Sequence, residues 1–228
     1  MAIVKRTHIG LVSGQVGEFI YRIRNGKLVQ YRKPVKVNFS RSKAAMSARG
    51  YFAQLVRFAV FINSFPMLKQ VWKNVKVPGS NHYQKIIKNN SAAIRFSGVS
   101  VRCIVTPPGI PFRLTGLRFT VSDMSFRVLP DSKELKLLFS VPVILCIIIC
   151  FSKPKLKSIP ESKFCSAWME LKAEGNAKVI LHHNEEVQTA VRNYNNAVVF
   201  VSALAANPGI SKIYWTSTYA EEISGFAI

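Results

Sequence analysis

Between Val16 and Lys33 apolar and polar residues alternate on either side of Asn25-Gly26. Alternation of this kind places successive side chains on opposite faces of a strand. Asn-Gly between two such runs signals a hairpin, because a type I′ turn needs positive φ at both central residues. The pattern predicts Arg24 opposite Lys27, Arg22 opposite Val29, Ile20 opposite Tyr31 and Glu18 opposite Lys33. Glu18 facing Lys33 is favourable, whereas Arg24 facing Lys27 sets like charges together and costs stability. Such a tip either meets an anion or splays both side chains into water. The glycines of the preceding segment, Gly10, Gly14 and Gly17, are read as a tight turn before the first strand.

Beyond Pro34 the period becomes helical. Ser40 is the predicted N-cap, and Ala45, Ala48, Phe52, Leu55, Ala59 and Ile62 form one apolar stripe. Tyr51, Phe58 and Phe65 form another on a different side, so this helix needs covering on more than one face. Pro66 interrupts it, a short continuation carries Trp72, and Pro78-Gly79 precedes a further short helix over 80–90.

From Ile94 the texture changes to short β-branched or alternating runs separated by turns. Strands are predicted near 94–105, 112–121, 124–129, 135–151, 164–173, 177–183, 187–192, 197–204 and 211–219. The segment Val143 to Cys150 is almost wholly apolar and β-branched, as expected of a strand buried on both faces. A membrane-spanning helix is disfavoured there, because Lys136, Ser140 and Pro142 leave the apolar run short of the ~20 residues that a bilayer requires. The fold class predicted is α+β: an N-terminal basic β-hairpin plus helices over 1–93, followed by an antiparallel β-sandwich over 94–228.

Charge changes the picture. The first 122 residues hold twenty-one Lys and Arg against one acid, Glu18, while the remaining 106 hold eleven against ten. An excess confined to one part of a chain repels itself unless an anion sits beside it. The basic positions on the predicted ribbon and helix start are Arg22, Arg24, Lys27, Arg32, Lys33, Lys36, Arg41, Lys43 and Arg49. They are the candidate nucleic-acid-binding residues, since cations on a narrow ribbon suit phosphate contacts. Tyr21, Tyr31, Phe39 and Tyr51 are interleaved with them and are read as core rather than as stacking platforms.

Catalytic chemistry is poorly provided for. His182, His183, Glu185 and Glu186 are capable of ligating a metal or sharing a proton, but they lack the spacing of a metal or acid–base motif and read as a polar loop between strands. Cys103, Cys146, Cys150 and Cys165 have no zinc-ligand spacing and read as reduced, buried hydrophobes. The run GLVSGQVG lacks the Lys-Ser/Thr of a phosphate-binding loop. No cofactor is expected. The start of the chain has no signal-peptide pattern, so the expected setting is cytoplasmic or virion-associated.

Gly14-Gln-Val-Gly17, Ile20-Tyr21, Arg24-Asn-Gly-Lys27, Arg32-Lys-Pro34, the helix around Phe52 and Phe58, and Trp72 carry a resemblance over about the first 75 residues. In them the chain resembles an uncharacterised bacterial domain-of-unknown-function family from phage-like and mobile-element settings. The resemblance implies a basic hairpin–helix module, then a β-sandwich ending in a Ser/Thr-Tyr strand such as Ser217-Thr-Tyr219, with no catalytic residues. The function expected is a non-enzymatic structural protein contacting nucleic acid or another polyanion without sequence specificity, as a homo-oligomer in a virion-like assembly and with no membrane span. The alternative is a self-assembling subunit with no nucleic-acid role; an enzyme built on the His182–Glu186 cluster is a third, weaker reading.

Overall fold

The N-terminal alternation produces the expected hairpin inside a larger sheet. In the computed structural model, which describes residues 2–4, 14–24, 27–33, 40–95, 98–171, 177–207 and 212–226, β1 (Ala2–Val4), β2 (Gly14–Val16), β3 (Phe19–Arg24) and β4 (Lys27–Arg32) form an antiparallel sheet in the order β1-β4-β3-β2. The register pairs Ile20 with Tyr31, Arg22 with Val29 and Arg24 with Lys27, as the alternation required. The Asn25-Gly26 turn lies outside the described residues. Gly14 to Val16 is itself a strand, because Gly17 takes φ +59 and folds it back so that Val16 meets Phe19. Lys33 N–H donates to the Glu18 carbonyl at 2.6 Å, yet the Glu18 carboxylate pairs with Arg32 instead of Lys33. Both Nε (3.0 Å) and Nη2 (2.7 Å) of Arg32 reach its Oε2, an arrangement that a guanidinium fork permits and an ammonium does not.

The chain divides into two units, Met1–Ala45 and Met46–Ile228, and the division falls in the first turn of α1 (Lys43–Asn63). Ser42, rather than Ser40, caps α1, accepting from Ala45 N–H at 3.2 Å. Pro66 opens α2 (Pro66–Asn74), bent 103° from α1. Asn81 caps α3 (His82–Asn90) by accepting from Gln84 N–H at 2.9 Å. The chain then runs through β5 (Ile94–Arg95), β6 (Gly98–Val99), β7 (Leu114–Phe119), β8 (Asp123–Val128), α4 (Lys133–Leu138), β9 (Val143–Pro154), β10 (Ser162–Leu171), β11 (Ala177–His182), α5 (Glu185–Asn193), β12 (Tyr194–Asn207), β13 (Lys212–Trp215) and β14 (Tyr219–Ser224).

The second unit is built on one antiparallel sheet in the order β10-β9-β12-β13, with β14 pairing along β12 as well. Its central strands are buried on both faces. Val143, Leu145, Ile147, Ile149 and Phe151 of β9 and Ala197, Val199, Val201, Ala203 and Ala205 of β12 face one core. That core is closed by the three-stranded sheet β11-β8-β7 together with α4 and α5. The alternate positions, Cys146, Ile148 and Cys150 of β9 and Val198, Phe200 and Leu204 of β12, face a second core with Leu55, Phe58, Ile62, Leu68, Trp72 and Ile86 from the helices. Burial on both sides is why β9 carries an unbroken apolar run, each such side chain contributing roughly 1.5–3 kcal/mol. The predicted α+β class and sandwich-like stacking of antiparallel sheets are present, with a helical layer added to the far face.

Several expectations change. The predicted boundary near 93 differs from the observed one, because residues 46–93 share a core with β9 and β12 and do not stand apart with the hairpin. Residues 135–138, expected in a strand, belong to α4, where Ser132 accepts from Leu135 N–H and Leu135 and Leu138 are buried at i, i+3. Residues 187–192, also expected as a strand, form α5: Asn184 caps it, and Val187, Ala190 and Val191 make its buried stripe. Most of 94–105 is irregular, its backbone satisfied by side chains. Asn90 Oδ1 accepts from Ile104 N–H at 2.7 Å, and Thr218 Oγ1 accepts from Val105 and Thr106 N–H at 2.9 Å each. The predicted inward stripe of α1 holds only from Leu55 onward, since Phe52 is exposed. Among the described residues no single helix is long and apolar enough to cross a membrane.

Candidate polyanion interface

Residues directly opposite in an antiparallel pair point to the same face. Ile20 and Arg22 therefore share one face of the ribbon with Tyr31, Val29 and Lys27, Arg24 pairs with Lys27 in the same register, and Gln15 joins that face by register. Arg22 and Lys27 are exposed. The Arg22 guanidinium lies over the Tyr31 ring, 5.8 Å from its centroid, a cation–π contact that holds the charge on this face. Sequence reasoning assigned Tyr31 to the core; the ring is half-buried and serves instead as the platform for Arg22. The alternation itself carried that signal, since it sets Tyr31 and Arg22 on one face of adjacent strands.

The reverse face differs in character. Val16, Phe19 and Ile23 stand there exposed, with Arg32 neutralised by Glu18. The register thus sets Arg22 on the face of Lys27, pairs Arg24 with Lys27, and separates Arg32 from them. Lys33 is exposed at the far end of β4 from Lys27. Arg41 and Lys43 are exposed at the start of α1, whose first turn has no acidic residue. Their charges add to the positive end of the helix dipole. Arg49 is exposed but belongs to the second unit, and Lys36 lies outside the described residues.

Other candidate chemistry finds structural employment. All four cysteines are buried free thiols. Burial pushes Cys103 and Cys165 up to about 11 and Cys146 up to about 12, and raises Cys150 further, so none is a thiolate at neutral pH. The His182–Glu186 segment is a short connection, His183 and Asn184, that leads from β11 into a helix and not into a second strand, and Glu185 and Glu186 complement the dipole of α5. Glu186 also pairs with Lys163 at 3.3 Å. Among the described residues no group of three or more His, Cys, Asp and Glu is placed to hold a metal ion.

His183 is buried against Phe119, ring centroids 4.6 Å apart, with Nδ1 3.2 Å from the Val121 carbonyl. Desolvation lowers its pKa, opposed by that carbonyl and by Asp123. The unfolded chain then binds the proton more readily than the folded one. Stability is fully present above the ordinary histidine value of about 6.5 and falls as pH drops below it. Urea unfolding between pH 7 and 5 is expected to show this loss, and His183→Gln is expected to flatten it. An unchanged slope in the variant would remove His183 from the account.

No protein-family model matches this chain, and no curated protein is significantly similar to it.

Proposed function

We propose that this chain is a basic, non-enzymatic structural protein whose N-terminal ribbon contacts nucleic acid or another polyanion without sequence specificity, as part of a multimeric assembly. The observation that carries this reading is the charge division, twenty-one Lys and Arg against one acid in the first 122 residues. A solvated face ordinarily mixes signs. The ribbon supports it further, since Arg22 and Lys27 occupy one face and Arg24 pairs with Lys27 in the register, while the single acid is engaged by Arg32. Cations without a base-reading motif bind through phosphate contacts, which position but do not specify.

The test is a salt titration by fluorescence anisotropy on single-stranded DNA, duplex DNA and RNA. On duplex DNA log affinity is expected to fall linearly with log salt, with a slope of about −0.9 per phosphate neutralised, and unrelated sequences should bind alike. Binding to none of the three at low salt, or binding undiminished at high salt, overturns the reading.

A second reading, a self-assembling subunit with no nucleic-acid role, is favoured by exposed apolar residues. These are Val16, Phe19 and Ile23 on the reverse of the ribbon, and Met46, Phe52 and Val60 on α1. Side chains of this kind in groups mark interfaces. Electron microscopy of purified protein, read with its 260/280 nm absorbance ratio, separates the two. Ordered assemblies free of nucleic acid favour the second.

A further inference from the structure

The three-stranded sheet β11-β8-β7 covers the core with one face and presents the other outward. On β8, Met124, Phe126 and Val128 are buried, so Asp123, Ser125 and Arg127 alternate outward. The register sets Lys178 of β11 and Thr115 of β7 on either side of Arg127, and Ile180 and Arg118 on either side of Ser125. Adjacent strands lie about 4.8 Å apart, so Arg118, Arg127 and Lys178 line one patch of the outer face, within reach of one another's long side chains. Lys178 opposite Arg127 is a like-charge pair, unfavourable unless an anion relieves it. Neither arginine nor the lysine has an ion-pair partner among the described residues. Asp123 is the one carboxylate on these three strands, and it accepts from the Ser122 hydroxyl at 2.9 Å.

The sheet is shaped as well as charged here. The register shifts between Thr115 and Arg118, so that Gly116 and Leu117 together oppose Phe126. Gly116 takes φ +65, and nothing lies within 4 Å of where its Cβ would stand. This β-bulge bends β7 and opens a groove of about 340 Å³ lined by Thr115, Gly116, Arg118, Ser125, Arg127 and Lys178. Three cations and two hydroxyls facing one concavity form a donor set for an oxyanion with several acceptor oxygens. We propose that the bulged outer face of this sheet is a phosphate-binding groove in which Arg118, Arg127 and Lys178 hold a phosphate group, a site separate from the N-terminal ribbon. A phosphorylated small molecule and the backbone of a nucleic acid present the same chemistry to it.

The test uses the full chain carrying Arg22→Gln, Arg24→Gln, Lys27→Gln and Lys33→Gln, so that the four ribbon charges of the proposed polyanion contact do not contribute. Calorimetric titration with pyrophosphate at low ionic strength is expected to show binding that weakens about tenfold or more on adding Arg127→Gln, and again on adding Lys178→Gln. Lys178→Arg should retain it. Adding Lys153→Gln, Lys155→Gln and Lys157→Gln to the same background should change it by much less. A short oligothymidylate then separates the sources: if its binding also falls with Arg127→Gln, the groove takes a nucleic-acid backbone, and if only pyrophosphate binding falls, it takes a small phosphorylated ligand. Absence of pyrophosphate binding, equal binding with and without Arg127→Gln, or an equal loss from the three-lysine control overturns the groove. None of these results bears on the ribbon, whose own test is the salt titration of the otherwise unaltered chain.

Discussion

Removing charge at Arg22, Arg24, Lys27 and Lys33 is expected to weaken nucleic-acid binding by roughly 10³-fold at 0.1 M salt, if each side chain neutralises one phosphate. Equal removal at Lys153, Lys155, Lys157 and Lys163 is expected to cost far less. The first group lies where Glu18 is the one acid, already bound to Arg32. The second shares its half of the chain with ten carboxylates, and Lys163 is itself paired with Glu186 at 3.3 Å. The contrast should be sharpest at low ionic strength, where the Debye length reaches ~30 Å at 0.01 M. Arg24 and Lys27 carry a second expectation. They stand opposite in the register, so neutralising either relieves a repulsion, and thermal stability should rise slightly as affinity falls. Equal losses from both quadruple variants would mean that net charge alone drives association. A larger loss from the second would move the contact off the ribbon.

Trp72→Ala is expected to cost about 3–5 kcal/mol of unfolding free energy. The Trp72 side chain is fully buried among the helices and the sheet, and its Nε1–H donates to the Val105 carbonyl at 2.8 Å. Truncation leaves both a cavity and a buried carbonyl without its donor. Trp72→Phe keeps most of the volume and loses the donor, so about 1–3 kcal/mol is expected. Urea unfolding followed by circular dichroism checks both, and the slope on denaturant should not change. The experiment also tests the unit boundary. Since Trp72 joins α2 to the segment after β6 and to the core over β9 and β12, the variant should lower the stability of residues 46–228 in one transition. A separate early transition confined to the helices would restore a boundary near residue 93.

The ribbon and the central sheet were legible for the same reason. A period of two, repeated on both sides of a turn signal, fixes a register, and the register fixes which side chains share a face. Arg24 opposite Lys27 followed from counting outward from Asn25-Gly26. The unbroken apolar run of β9 likewise announced burial on both faces. Helix α5 was misread because Val187, Ala190 and Val191 satisfy a short strand as readily as one helical turn. The Asn184 cap followed by Glu185 and Glu186 was the available sign of a helix start. The groove-lining Arg118, Arg127 and Lys178 lie on strands whose positions were anticipated. Alternation turns Arg127 outward, whereas Arg118 shares its parity with buried Leu114 and faces outward only because the bulge at Gly116 shifts the register. The convergence of the three was not visible, because neither the pairing of β8 between β7 and β11 nor the bulge at Gly116 is a local property.

What the sequence determined by itself is the charge division, the hairpin register, the helix break at Pro66 and the burial of the central strands. Each depends on neighbours a few residues apart, where sterics, turn chemistry and periodicity act directly on the chain. Tertiary structure decided which elements share a core, and so joined the helices of residues 46–93 to the sheet that follows them. It also decided that Glu18 is held by Arg32 rather than Lys33, and that three cations scattered from Arg118 to Lys178 line one groove. Such contacts link residues far apart in sequence, and which partner is chosen depends on the shape and solvation of surfaces that exist only once the chain has folded.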